Sequence, residues 1–242
     1  MSAPTAAPST NTHIEIPDFQ ALSEQGHWDA CAVVAEADAL HVCPWRMQAQ
    51  ELSETAIESM RWQYLQAIDP ATGKPRWTPG EGTTLGNIHW HLSAMGAHIA
   101  GYIPYSNTPD LNALHTFLKS HCLAQNPVII EVGNAAALPH AEQGVQYHFV
   151  TLGGIDSTLG YLVANGDTLD ALAGKAGAIV PTYWATWQTL VNAKLCGAIA
   201  LQRTVAVPPP PAPNPTPDMD TLRKLAGEAL SALQSMHTIL GG

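Results

Sequence analysis

PVIIEV (127–132), YHFVTLGGI (147–155) and LGYLVAN (159–165) are three short β-rich runs separated by turn residues, and they make the second half of the chain a sheet. GAIALQRTV (197–205) reads as a last strand. Towards the N-terminus the pattern becomes helical. From Asp29 to Val42 the chain is rich in Ala and Val without breakers, which predicts a helix beginning near Cys31. Residues 44–66 continue as helix, with Trp45, Met47, Leu52, Ile57, Met60 and Trp62 as its apolar positions. Residues 85–96 are predicted helical, as are 109–124, where Leu111, Leu114, Phe117 and Leu118 recur at helical spacing. Between them DPATGKPRWTPGEGTT (69–84) holds three Pro and three Gly and is a loop. Helices first and strands second predict an α+β domain, with N-terminal helices packed on an antiparallel sheet.

Composition shifts at both ends. Residues 1–14 have the character of a disordered leader, and 15–206 form the folded domain. VPPPPAPNPTP (207–217) carries seven prolines and reads as a stiff spacer. Residues 218–242 then form an amphipathic helix, stepping through Leu222, Leu225, Ala229, Ala232, Met236 and Ile239. A seam of about three heptads is marginal alone, so residues 218–240 are expected to dock on their own domain, a partner protein or a second copy in a homo-oligomer.

Charge narrows the function. A net charge of −10 with ten Lys and Arg offers no footprint for nucleic acid or anionic membranes. No run approaches the roughly 20 apolar residues of a membrane span. MSAPTAAPSTNT has neither a basic start nor an apolar centre, so no signal peptide is expected. The chain is therefore expected in the cytoplasm, or in a virion or outside the cell by a non-standard route. Four scattered cysteines (Cys31, Cys43, Cys122 and Cys196) do not suggest a disulfide framework.

Thiol chemistry needs a thiolate, a base, a group that orients the base, and donors for an oxyanion. Cys31 stands at a predicted helix start, where unpaired N–H groups and the helix dipole favour a thiolate. Gln25 lies six residues earlier, in QGHWDAC, within reach to donate to an oxyanion. His148 opens an apolar strand. Asn165 ends the next one, 17 residues on, where a hairpin brings the far ends of two strands together.

The order Gln–Cys–His–Asn resembles the papain-superfamily cysteine peptidases, most closely the bacteriocin-processing type and its relatives in phage lysins. Trp28-Asp29 before the Cys, Asn126–Ile130 before the His strand, HFVTLGG, ANGD and the closing YWATWQTLVNAKLCGAIAL carry the resemblance, over roughly residues 15–205. It implies a papain-like fold in which Gln25 is the oxyanion donor, Cys31 the nucleophile, His148 the general base and acid, and Asn165 the orienter. Asp167 is the alternative third member. Ala32-Val33 stand where the family usually has Gly-Pro. The implied reaction is cleavage of a peptide amide, with peptidoglycan stem peptides as first candidates and no cofactor. Two rivals remain: acyl transfer by the same triad, and a non-catalytic binding or virion-structural module assembled through the C-terminal helix.

Trp28, Trp90 and Trp184 are expected to wall a substrate cleft. His89-Trp90-His91 and His98 suggest a metal at first sight. On a helix, however, His91 and His98 share a face while His89 points elsewhere, and no carboxylate or thiol stands at ligand spacing. They read as surface or groove-lining histidines, with no metal.

Overall fold

The computed structural model describes residues 12–22, 30–43, 54–139, 146–166 and 179–203. The chain divides into a first unit, Met1–Val205, and a second, Ala206–Gly242. The spacer 207–217 and the helix 218–242 lie outside the described residues, as do most of the expected leader and residues 44–53 of the second helix.

The sheet forms where the sequence reads as apolar runs. β4 (Val128–Val132), β5 (His148–Asp156), β6 (Gly160–Ala164) and β9 (Leu195–Leu201) are its centre. β3 (Ile99–Ile103) and β8 (Tyr183–Ala185) are its edges, giving the antiparallel order β3-β9-β4-β5-β6-β8. β1 (His13–Glu15) continues β5 where β4 has ended, pairing with Gly154–Asp156. A separate two-stranded ribbon joins β2 (Ala21–Leu22) to β7 (Ile179–Val180). Two of these strands correct the sequence reading. β1 falls where a leader was expected to run, and β3 lies between two predicted helices.

Both faces of the sheet are covered, which is why its strands are continuous apolar runs rather than alternating ones. On one face Phe149, Ile129 and Ile199 pack against α1 (Cys31–His41), with α2 (Glu54–Gln66) behind it and α3 (Leu85–Ala94) beside it, over the other end of the sheet's width at Leu195–Leu201 and Ile99–Ile103. On the other, Val150, Leu152, Ile130 and Ala198 pack against Leu114, Leu118 and Cys122 of α4 (Leu111–Leu123). α1 is buried along nearly its whole length, from Ala32 to Leu40, so it shows no polar stripe. Gly153 lies under Phe19, where a Cβ would stand 2.1 Å from the ring. Among the described residues no helix is long and apolar enough to cross a membrane.

α3, α4 and α5 (Trp187–Asn192) begin with side-chain caps from Thr84, Asp110 and Thr186. α1 does not. Ala30 precedes it without a side-chain hydrogen bond, and its first turn holds no acidic residue.

Candidate active site

Cys31 is the first residue of that uncapped helix and is half-buried against the core. The N–H groups of the first turn are the positive end of the helix dipole, an environment that favours an anion.

Three hydrogen bonds fix the direction of α1 across the sheet. At its C-terminal end, Arg203 Nε donates to the Val42 carbonyl at 3.1 Å, while the Arg203 N–H donates to Asn126 Oδ1 at 3.0 Å, just before β4. In the middle, Thr151 Oγ1 donates to the Ala35 carbonyl at 2.7 Å. β4 and β5 run antiparallel, with Val128 opposite Leu152 and Val132 opposite His148. The C-terminus of α1 is thus at the start of β4, and its first turn points to the end of the sheet where β5 begins. His148 is the first residue there.

β5 and β6 form the hairpin predicted from the 17-residue spacing, with Thr151 opposite Ala164. Its open end joins two buried side chains: His148 Nε2 lies 2.8 Å from Asn165 Oδ1. Asn165 Nδ2 in turn donates to the Tyr183 hydroxyl at 3.3 Å. Burial pushes that hydroxyl up to about 12, so it stays neutral. With its amide nitrogen on Tyr183, Asn165 turns its oxygen to the ring. An amide oxygen only accepts, so Nε2 carries the proton and Nδ1 is the basic nitrogen of the neutral ring.

Beside this end of the sheet is a cavity of about 510 Å³, walled by Leu111, Gly133, Tyr147, Lys194 and Cys196. Tyr147 precedes His148 in the chain. On the α1 face Glu131, opposite Phe149, is buried and accepts from the Leu85 N–H at the start of α3. Burial pushes its carboxyl up to about 7, and Oε2 has no hydrogen-bond partner among the described residues. Sequence reasoning passed over Glu131. The available signal was one acid inside the apolar run PVIIEV.

Gln25, Trp28 and Asp167 lie outside the described residues. Trp90 and Trp184 have separate surroundings. The Arg76 guanidinium covers the Trp90 ring at 4.3 Å, with Tyr64 beside it. The Trp184 ring is 5.5 Å from His13, which pairs with Asp156 at the other end of β5 from His148.

The histidine group departs from its sequence reading. α3 ends at Ala94, before Gly96 in the left-handed conformation, so His98 is not on the helix that carries His91. His91 is not a surface or groove histidine but a buried one. Its Nδ1 meets Glu36 Oε1 at 2.6 Å and its Nε2 meets Gln63 Oε1 at 2.9 Å. Tyr64 donates to the other Glu36 oxygen at 2.8 Å. Among the described residues no group of three or more His, Cys, Asp or Glu is placed to hold a metal.

No family model matches the chain, and no curated protein matches it. Among solved structures, a protein from Bacillus anthracis described as a C39-like peptidase matches with a TM-score of 0.42 and 14% identity, over 78% of this chain and 97% of that chain.

Proposed function

We propose that this protein is a papain-like cysteine hydrolase of amide bonds, with Cys31 as nucleophile, His148 as base and Asn165 as the residue that orients it. The observation that carries this reading is the buried 2.8 Å contact between His148 Nε2 and Asn165 Oδ1. It fixes the tautomer a thiol needs, with the basic nitrogen away from the amide. The start of α1, directed to the same end of the sheet, supplies the setting for the thiolate.

His148 Nδ1 takes the thiol proton, and the sulfur adds to the substrate carbonyl carbon. The oxyanion is held by backbone N–H at the helix start and by Gln25. The C–N bond breaks as His148 returns its proton to the leaving amine. Water, deprotonated by His148, then adds to the thioester, releasing the acid and the thiol. The substrate is a peptide, and the lysin-like sequence pattern makes the stem peptide of peptidoglycan the first to try. The cavity behind Tyr147, where Leu111, Val191 and Leu195 stand beside Asn107, Thr108 and Lys194, is the place for a side chain of that substrate.

The test is limiting iodoacetamide from pH 5 to 9, with the alkylated cysteine mapped by mass spectrometry. The expected result is rapid labelling confined to Cys31, persisting below the roughly 8.5 at which a free thiol titrates and slowed by His148→Ala. Labelling that follows an ordinary thiol, or is spread over Cys43, Cys122 and Cys196, would overturn the proposal.

A further inference from the structure

The hydrogen bonds at the open end of the β5–β6 hairpin continue onto a third strand. Tyr183, on the edge strand β8, stands opposite Val163 of β6, and Asn165 lies two residues beyond Val163, at the diagonal cross-strand position. His148, Asn165 and Tyr183 thus form one line over β5, β6 and β8, with contacts of 2.8 and 3.3 Å. We infer that Tyr183 is a positioning residue: by accepting from Asn165 Nδ2 it fixes which end of the carboxamide faces His148. Its role in the reaction rests on the hydrolase reading.

The two ends of a carboxamide have nearly the same shape, so packing alone does not choose between them. Turned over, Asn165 would present Nδ2 to the ring. A donor there needs a lone pair on Nε2, so the neutral ring would carry its proton on Nδ1 and could not take one from a thiol. Once the ring is doubly protonated, the turned amide would set two donors against each other. The working orientation, with Oδ1 on Nε2, leaves Nδ2 to be satisfied. Asn165 is fully buried, and an unmatched N–H in the interior is costly. The Tyr183 oxygen accepts from it, and does so as a neutral hydroxyl, adding no charge beside the ring.

β8 is three residues long and lies at the edge of the sheet, so its neighbours must hold the hydroxyl in place. The Tyr183 ring packs against the core cluster that includes Val150 and Val163. Three residues before it, Val180 pairs with Ala21 in the two-stranded ribbon. Next to Ala21, the Leu22 N–H donates to Oδ1 of the buried Asp38 of α1 at 3.2 Å. The strand that carries Tyr183 is thereby tied to the helix that begins with Cys31.

The test is Tyr183→Phe in the full chain, which keeps the ring and removes only the hydroxyl. The tautomer of His148 is read at pH 8 from its imidazole ¹⁵N signals, assigned with His148→Gln, in a Cys31→Ala background that keeps the ring neutral. The proton is expected on Nε2 in that parent, and Tyr183→Phe should move part of the population to Nδ1. With Cys31 restored, Tyr183→Phe should lower kcat/KM on a peptide amide by about three- to tenfold, the worth of one neutral hydrogen bond, with KM little changed. A tyrosine that only packs would leave the tautomer where it was, so an unmoved tautomer in Tyr183→Phe overturns the inference even if activity falls. A parent already protonated on Nδ1 overturns it as well. If Cys31 alkylates as an ordinary thiol, the hydrolase reading fails and the role in the reaction falls with it. An active enzyme whose tautomer and kcat/KM ignore Tyr183→Phe overturns this inference alone.

Discussion

Two buried histidines of this molecule are held in opposite ways. His148 Nε2 meets the neutral amide of Asn165. His91 is clamped at both nitrogens, by the Glu36 carboxylate and by Gln63. An amide orients an imidazole without adding charge, so the ring can still take and return a proton. A ring committed at both nitrogens, one to a buried carboxylate, has no nitrogen left for a proton relay. It ties α3 and α2 to α1 instead. The difference shows why the more conspicuous cluster in the sequence, His89-Trp90-His91, is structural.

The largest expected effect breaks the clamp. His91→Leu leaves the Glu36 carboxylate fully buried with only the Tyr64 hydroxyl. Loss of one partner from a buried pair costs about 3–5 kcal/mol, read as a shift in the urea midpoint. Adding Glu36→Leu should recover a substantial part, because the uncompensated charge goes with it. A double variant no better than His91→Leu would mean that packing, not charge, is what the pair provides.

Glu131 sharpens the contrast from the carboxylate side, being a buried acid with no histidine. Its folded carboxyl is raised from 4.5 to about 7. The unfolded chain therefore releases this proton first as pH rises. Its contribution to stability is greatest below 4.5 and falls through the interval from 4.5 to 7, by roughly 3 kcal/mol in total. Glu131→Gln, which keeps the shape and cannot ionise, should flatten this part of the stability–pH curve and be the more stable protein at pH 8. A variant whose curve keeps the wild-type slope would assign the slope to another group.

Asn165 allows one buried histidine to be turned towards the other. Under the proposed chemistry Asn165→Ala should lower kcat/KM by about ten- to a hundredfold, by freeing the ring to turn. Asn165→Asp gives His148 a carboxylate, as His91 has. The alkaline limb of the pH–rate profile should then move up by about one unit, because a neighbouring negative charge holds the ring's proton. An unmoved limb would mean that the ring at position 148 does not titrate in the reaction.

These contrasts were unequally legible in the sequence. The sheet's centre was readable because strands buried on both faces are nearly continuous apolar runs, as LCGAIAL is and VIIEV is but for Glu131. The meeting of His148 and Asn165 was readable because a hairpin register follows from alternation and turn position. Strand β3 was not. IAGYI is short, and Gly101 within it weakens the β signal; the glycine is there because a Cβ would stand 2.7 Å from the Phe117 ring. β1 was missed because HIE is polar and largely exposed, and it is a strand only by virtue of the length of β5 that β4 leaves uncovered. Glu36 gave no local signal either. It sits in an Ala/Val run, and its partners Tyr64 and His91 are 28 and 55 residues away. Burial of a charge is decided by such distant partners, which no periodicity records.

The smallest expected effect belongs to a third pair, His13 with Asp156, which has the carboxylate of His91's arrangement without the burial. The contact is 2.8 Å, yet His13 is about half exposed. The hydrogen bond to Asp156 raises His13 above its ordinary 6.5. Asp156 is lowered from 3.8, first by the Leu159 N–H and then by His13. The histidine's share of stability is complete below 6.5 and is lost as pH rises through its higher folded value. The aspartate's share is complete above 3.8 and is lost as pH falls through its lower folded value. Between those limits both are present, but water and salt screen an exposed pair. Asp156→Asn should therefore return the His13 titration, followed by NMR, towards 6.5 while leaving the urea midpoint nearly unchanged. A midpoint drop as large as that of His91→Leu would show that a carboxylate partner stabilises this fold irrespective of burial, and the distinction between the histidines would then rest on His148 alone.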